Sequence, residues 1–274
     1  MKNFQNITDE YFLKFENFII DIWGVLHSGG VLYENTLRSL NFLQQNEKNV
    51  IFLSNAPRRA SKVESFLSGI GVKKGEHYQD IVTSGETFVQ CVMDKNISTA
   101  FYIGPDRDLD VLYGTNIDVT KNINDDFDIA IVTGPTSVTD SRDSDVLISL
   151  LERGYTLYCL NPDLFVVKSD GTLEKCAGLI ATEYEKLGGK VIYFGKPYAP
   201  VYNETFATFG ADFDINKTVA IGDGLDTDIA GGFNVGLKTV LCLSGLPSTQ
   251  LQHVSLESYL GNHQILPDYV IDCL

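Results

Sequence analysis

Four short apolar runs punctuate the chain, and each ends on a polar residue. They are Phe18-Ile19-Ile20 before Asp21, Val50-Ile51-Phe52-Leu53 before Ser54, Val191-Ile192-Tyr193-Phe194 before Gly195-Lys196, and Val219-Ala220-Ile221 before Gly222-Asp223. None alternates apolar with polar positions, which is the pattern of strands buried on both faces of a parallel sheet. Helical spacing intervenes: Leu37, Leu40 and Leu43 share one face, and Val63, Phe66 and Leu67 recur in the same way. Ser61 with Glu64 three residues on has the form of a capping box, and a further helix is expected around Phe88 to Met93, after Ile81-Val82 and Thr83-Ser84. Alternating strands and helices predict an α/β fold whose core is a doubly wound parallel sheet.

Residues 95–189 repeat the alternation on their own. Phe101-Tyr102-Ile103, Ile129-Ala130-Ile131-Val132, a helix through Val146, Leu147, Leu150 and Leu151, then residues 156–160 and Phe165-Val166-Val167 are enough to bury a separate core. The polar strand ends lie on both sides of this stretch, so it reads as an insertion. The expected division is residues 1–87 and 190–274 for the core and 88–189 for an inserted α/β domain. The core pattern resumes with residues 239–243 and Tyr269-Val270-Ile271.

Composition narrows the function classes. The 274 residues are 44% hydrophobic and 21% charged, an ordinary globular balance. No apolar stretch is long enough to span a bilayer, and Asp9, Glu10, Lys14 and Glu16 interrupt the aromatics near the N-terminus, unlike a signal peptide. A cytoplasmic enzyme without a membrane partner is expected. The formal net charge of −15 argues against nucleic acid, whose binders present a basic face. An anionic substrate would then need local rescue by a cation, by Lys196 and by backbone N–H groups at helix starts. Cys91, Cys159, Cys176, Cys242 and Cys273 form no C-x-x-C pair, and His27, His77, His253 and His263 show no ligand spacing, so buried structural thiols are expected and zinc is not.

In open α/β sheets ligands sit beyond the carboxyl ends of the strands. Asp21, Ser54, Lys196 and Asp223 would therefore meet in one crevice. In Gly222-Asp223-Gly224-Leu225-Asp226-Thr227-Asp228, carboxylates crowd a strand-to-helix turn and repel one another unless a cation relieves them; hard oxygen ligands suit Mg²⁺. The plain alternative is that Asp226 or Thr227 caps the helix and Asp228 sits in its first turn. Asp21, with Gly24 permitting a tight loop, could attack phosphorus and form an aspartyl-phosphate, or could be a turn residue. Lys196, ahead of Pro197, would neutralise the carboxylates and hold phosphoryl oxygens. Pro197 itself would stop the strand and could open the next helix. Ser54 and Asn55 would supply a hydroxyl, an amide and backbone donors, or an ordinary helix cap.

These residues carry a resemblance. Asp21-Ile22-Trp23-Gly24-Val25-Leu26, Leu53-Ser54-Asn55, Gly195-Lys196-Pro197 and Gly222-Asp223 through Asp228 resemble, in order, the four motifs of the haloacid dehalogenase superfamily of phosphohydrolases. The long insertion resembles the large cap of its class IIA members, the sugar-phosphate and nitrophenyl-phosphate phosphatases, and Asn161-Pro162-Asp163, Val132-Thr133-Gly134 and Leu243-Ser244-Gly245 are similar to segments of that group. The resemblance implies that Asp21 is the nucleophile and that Mg²⁺ is held by Asp21, the backbone carbonyl of Trp23 and Asp223, with Asp228 acting behind them or through water. It implies that Ser54 and Lys196 grip the phosphoryl group, that Asn55 supports their loop, and that Asn161 and Asp163 form the substrate-facing edge of the cap. The substrate would be a small phosphorylated metabolite, such as a sugar phosphate.

One position departs from the pattern. The family's phosphatases usually carry a second Asp two residues after the nucleophile, to protonate the leaving oxygen and then activate water, and this chain has Trp23. Indole cannot transfer a proton in that role. His27 is the nearest residue with a suitable intrinsic pKa and is a candidate substitute. An aromatic residue at this place is also similar to the superfamily's metal-free dehalogenases, although Asp223, Asp226 and Asp228 would be out of place there. A catalytically weak phosphometabolite-binding protein is the third alternative. An exposed cap surface could support a homodimer.

Overall fold

The computed structural model describes all residues except 1, 94, 137–140, 169, 212 and 262, with backbone alone at 141–144. Two parallel sheets organise it. Strands are numbered along the chain. The first sheet contains β1 (Lys2–Phe4), β2 (Asn17–Ile20), β5 (Asn49–Ser54), β6 (Asp80–Thr83), β14 (Thr218–Gly222), β15 (Lys238–Cys242) and β16 (Tyr269–Ile271), in the order β1-β16-β15-β14-β2-β5-β6. The chain builds outward from β2 to β5 and β6 on one side, and later from β14 to β15 and β16 on the other. The order reverses between β2 and β14, which is where open α/β sheets bind ligands.

Burial explains the missing alternation. Every residue of β2 and β14 is buried. Phe18, Ile20, Val50, Phe52, Val219 and Ile221 pack on one face with Leu40 and Leu43 of α1 (Thr36–Gln45) and Val63 and Leu67 of α2 (Ala60–Gly69). Ile19, Ile51, Leu53 and Ala220 pack on the other with Val201 and Tyr202. With helices on both sides, both residue parities must be apolar.

The second sheet contains β7 (Thr99–Ile103), β8 (Asp118–Thr120), β9 (Ile129–Val132), β10 (Thr156–Cys159) and β13 (Lys190–Tyr193), in the order β13-β10-β9-β7-β8. It has its own cores. Phe88, Val89 and Val92 of α3 (Ser84–Met93) cover one face. The other is covered by Leu147 and Leu150 of α4 (Ser141–Glu152) and Ala177, Ala181 and Tyr184 of α5 (Ala177–Lys186). Two antiparallel hairpins stand apart from the sheets: β3 (His27–Ser28) with β4 (Val31–Leu32), and β11 (Phe165–Val167) with β12 (Leu173–Lys175).

Three sequence expectations change. The third apolar run does not join the first sheet: β13 pairs with β10 in register Thr156↔Lys190, as an edge of the second. Tyr193 and Phe194 bury themselves in that sheet's cores, and the chain crosses back only at Gly195-Lys196-Pro197. The capping box at Ser61 does not form either. The helix starts earlier, with Arg59 at its N-cap making no side-chain capping bond, and Glu86 of α3 instead accepts the Ala60 N–H at 3.2 Å and the Arg59 Nε–H at 2.9 Å. Pro197 does not open a helix: α6 (Ala199–Phe209) begins two residues later, with Pro200 in its first turn. The thiols are mostly as expected, with Cys159, Cys176 and Cys242 buried, but Cys91 is exposed. No helix among the described residues is long and apolar enough to cross a membrane.

Candidate active site

Asp21 follows β2 directly, and its N–H donates to the Ile221 carbonyl of β14 at 2.9 Å. That bond sets its side chain beside Asp223, which follows β14. Beyond Asp223 the chain makes a wide helical turn over Leu225–Ile229, entered from Gly224, and Asp228 folds back so that its Oδ2 accepts the Gly224 N–H at 3.1 Å. Asp226 points away, largely exposed, toward His263 at 3.3 Å, and makes no helix cap. Glycines make room for the carboxylates. A Cβ on Gly222 would overlap Asp228, and a Cβ on Gly24 or Gly245 would overlap Asp223; Gly24 also takes φ +85°, open to glycine at little strain. Ser244 donates to the Gly24 carbonyl at 2.8 Å, and the Leu246 N–H donates to Asp223 Oδ2 at 2.6 Å.

Lys196 enters this cluster from the crossing between the sheets. Its Nζ donates to Asp21 Oδ1 at 2.5 Å, Asp228 Oδ1 at 2.7 Å and the Leu53 carbonyl at 3.1 Å, and the side chain is fully enclosed. Asn55, just past β5, fixes the crossing: its Oδ1 accepts the Lys196 N–H at 2.7 Å, and its Nδ2 donates to the Lys196 carbonyl at 3.1 Å. The same amide donates to Asp163 Oδ1 at 2.8 Å. Asn161 shapes that loop by accepting the Asp163 N–H at 3.1 Å. Ser54, buried at the end of β5, accepts the Ala56 N–H at 3.2 Å. Asp21, Ser54, Asn55, Lys196, Asp223 and Asp228 thus converge as their strand-end positions predict, and Asn161 and Asp163 meet them from the second sheet.

The cluster holds more negative than positive charge. Burial raises Asp21 to about 7, with Lys196 opposing and Asp228 adding to the rise. Burial, then Asp21 and Asp228, push Asp223 well above the carboxylate range, because Lys196 is engaged by its neighbours. Asp163 rises to about 6 by burial, against the pull of Lys196 and Asn55. Burial opposes the charge of Lys196, but Asp21, Asp228 and Asp163 outweigh it and hold its pKa above the ordinary lysine range.

Asp21, Asp223 and Asp228 each offer an oxygen within 4.8 Å of the others, and all three are buried. Buried carboxylates in excess of one ammonium, with oxygen donors and neither Cys nor His among them, fit a hard divalent cation such as Mg²⁺.

Trp23 does not face this cluster as an acid. Its indole N–H donates to the Val167 carbonyl of the β11–β12 hairpin at 2.7 Å. His27, at 5.3 Å from the indole ring and 5.1 Å from Phe66, is 1% exposed, and burial lowers its pKa to about 4. Its Nδ1 accepts the Gly30 N–H at 3.4 Å. A neutral imidazole held in this way does not suit the general-acid role considered for it.

A cavity of about 440 Å³ opens over the cluster between the two sheets. Its walls include residues to which the sequence reading gave no functional role, notably Arg58, Lys62, Phe66, Arg107 and Asp108. Arg58 pairs with Asp108 at 3.2 Å and Lys62 with Asp110 at 2.6 Å, joining the start of α2 to the Asp106–Leu112 turn of the second unit. Arg58 and Arg59 lie just past Ser54-Asn55, the one local hint. Phe66 falls on the apolar spacing of α2 yet is 44% exposed.

Known proteins match this arrangement. A family model described as haloacid dehalogenase-like hydrolase matches residues 18–118, and one described as HAD-hydrolase-like matches residues 193–274, together roughly two thirds of the chain. The chain is 27% identical over 262 residues to dihydroxyacetone phosphatase of Corynebacterium glutamicum (strain R), covering 94% of this chain and 89% of that one. It is 26% identical over 239 residues to ribonucleotide monophosphatase NagD of Escherichia coli (strain K12), covering 86% and 90%. The solved structure of a haloacid dehalogenase-like hydrolase from Brucella suis 1330 matches with a TM-score of 0.77 at 27% identity, covering 85% of this chain and 90% of that one. With the order of its strand-end motifs, its doubly wound sheet and its second α/β unit, the chain belongs to the haloacid dehalogenase-like hydrolases, within their large-capped class IIA phosphatase group.

Proposed function

We propose that the protein is a Mg²⁺-dependent phosphatase that cleaves a small phosphate monoester through a phosphorylated Asp21. The observation that carries this is the buried contact of Lys196 with Asp21 and Asp228, beside Asp223 and within the reach of Ser54 and Asn55. In this reading Asp21 attacks phosphorus, and Lys196, Ser54 and the backbone at Asn55 hold the phosphoryl oxygens while charge builds on them. Asp21, Asp223, the Trp23 carbonyl and Asp228 would hold Mg²⁺, which would supply positive charge to the same oxygens. Asn55 keeps Lys196 in register, and its amide ties Asp163 to the same loop. The second α/β unit, expected at residues 88–189 and carrying β13 as well, acts as a cap that excludes water during transfer. The two relatives are named for phosphates of dihydroxyacetone and of ribonucleotides, which favours a small phosphorylated metabolite as substrate.

The test is phosphate release from a panel of monoesters, with and without Mg²⁺, for the wild type and Asp21→Asn, with halide release from haloacids measured in parallel. Metal-dependent phosphate release that vanishes in Asp21→Asn is expected. Halide release that ignores chelator would favour the dehalogenase chemistry, and tight ligand binding without turnover would favour a binding protein.

A further inference from the structure

Six carboxylates line the cavity among the described residues. Asp21, Asp223 and Asp228 form the cluster at its floor, and Asp108, Asp163 and Glu174 come from the second unit. In-line displacement at phosphorus sends the leaving oxygen away from Asp21, out of the cluster and toward that second unit. An acid that meets it there must hold a proton. Glu174 pairs with Arg107 at 3.1 Å and Lys168 at 3.9 Å, and Asp108 pairs with Arg58 at 3.2 Å and Arg107 at 3.9 Å. To carry a proton, either would have to give up a guanidinium.

Asp163 is under no such constraint. Lys196 forms its ion pairs with Asp21 and Asp228, and the partner of Asp163 Oδ1 is the neutral amide of Asn55 at 2.8 Å. Its Oδ2 makes no hydrogen bond among the described residues. The side chain is nonetheless firmly placed. Asn161 accepts the Asp163 N–H at 3.1 Å, the Gly178 N–H donates to the Asp163 carbonyl at 3.1 Å, and a Cβ on Gly195 would overlap both Pro162 and Asn55. The Asn55 amide that meets Asp163 also donates to the Lys196 carbonyl, so Asp163 stands one side chain away from the loop that would hold the phosphoryl oxygens.

Resting on the phosphatase reading, we infer that Asp163 is the catalytic acid and base of this site, supplied by the second α/β unit in place of the carboxyl that Trp23 lacks. In the first step an Asp21 oxygen bonds to phosphorus and the ester P–O bond breaks. Its electron pair goes to the leaving oxygen, which takes the proton from Asp163 and departs as an alcohol. In the second step a water oxygen bonds to phosphorus while Asp163 accepts the proton of that water. The bond from phosphorus to Asp21 breaks, phosphate leaves, and both carboxyl groups return to their starting states. The groups that face Asp163 are Lys196, Asp21 and Asp228 on one side, and Cys159 and Cys176 within its own unit. Burial lifts its pKa to about 6 against the pull of Lys196 and Asn55, with Asp228 adding to the rise, so it keeps a proton nearer neutrality than a free Asp does.

The experiment is kcat/KM at fixed Mg²⁺ for substituted phenyl phosphates of graded leaving-group pKa and for simple alkyl phosphates. In the wild type the rates should depend only weakly on leaving-group pKa, because the departing oxygen is protonated. Asp163→Asn, which can still accept from Asn55, should lower alkyl phosphates by about 10²–10⁴-fold, the usual contribution of a general acid, and nitrophenyl phosphate by much less. The basic limb of the alkyl-phosphate pH profile should disappear with it. Asp163→Glu, which keeps an acid, should restore part of the alkyl-phosphate rate. A steep fall with leaving-group pKa already present in the wild type would overturn the inference without recourse to any variant. Equal losses on both probe classes in Asp163→Asn would also overturn it, and so would a loss graded by leaving group in Glu174→Gln or Asp108→Asn instead. Absence of phosphate release from every probe in the wild type would bring down the phosphatase reading, and this inference with it.

Discussion

Asp223→Asn should have opposite effects on stability with and without a divalent cation. Asp223 is 6% exposed, and its carboxylate receives the Leu246 N–H, but Lys196 is held by Asp21 and Asp228. In chelator its ionised form is therefore a buried charge facing two others. Asn keeps the volume and can keep the Leu246 bond, and it removes the charge. A poorly satisfied buried polar group costs about 1–3 kcal/mol, more for a charged one, so the variant should gain at least about 1 kcal/mol in chelator at pH 8. The folded pKa of Asp223 is raised, so the folded protein keeps a proton that the unfolded chain loses. The wild type accordingly loses stability as pH rises from about 4 toward that pKa, and the advantage of the variant should grow over the same range.

With Mg²⁺ at about 100 times its Kd, the wild type should gain about 2.7 kcal/mol, and the variant, short of one ligand charge, far less. The order of stabilities should then reverse or close. Urea titration followed by the fluorescence of Trp23, the single tryptophan, reads this at the site itself. A wild type as stable as Asp223→Asn in chelator at pH 8, or an equal gain from Mg²⁺ in both proteins, would refute the view that these carboxylates are arranged to hold a divalent cation.

Three further outcomes are expected. Lys196→Met strands Asp21 and Asp228 in a buried site, and should cost about 3–5 kcal/mol in chelator and most of the phosphatase rate, measured by urea titration and phosphate release. Trp23→Phe removes one hydrogen bond to the hairpin, worth about 0.5–1.5 kcal/mol, so amides of β11 and β12 should exchange about two- to tenfold faster while those of β2 and β14 are unchanged. His27 is buried neutral, with its folded pKa near 4 against 6.5 in the unfolded chain, so it should cost the wild type about 3 kcal/mol as pH falls from 6.5 to 4. His27→Gln should lack that component in acid denaturation curves.

What the sequence revealed, and what it hid, divides along the line between the two sheets. Asp21, Ser54 and Asp223 were legible because β2, β5 and β14 are buried on both faces, and such strands show as unbroken apolar runs with a polar end. The run before Lys196 carries the same signature, yet β13 belongs to the second sheet: an apolar strand records that it is buried and not which neighbour buries it. The start of α2 was misjudged for a similar reason, since Glu86, which accepts the Ala60 N–H, lies 26 residues away from it. Trp23 and Val167 are 144 residues apart, and Arg58 and Asp108 are 50 apart. Each of these pairs joins the first unit to the second or to the helix that covers it, so neither half carries a local sign of its partner. Polar groups at strand ends therefore showed in the sequence, while the contacts that bring the second unit against them did not. The position of Trp23 illustrates both sides of this division. Its place two residues after Asp21 marked a departure from the expected acid from sequence alone, but only the fold shows that its indole N–H is tied to the Val167 carbonyl of a hairpin that lines the cavity.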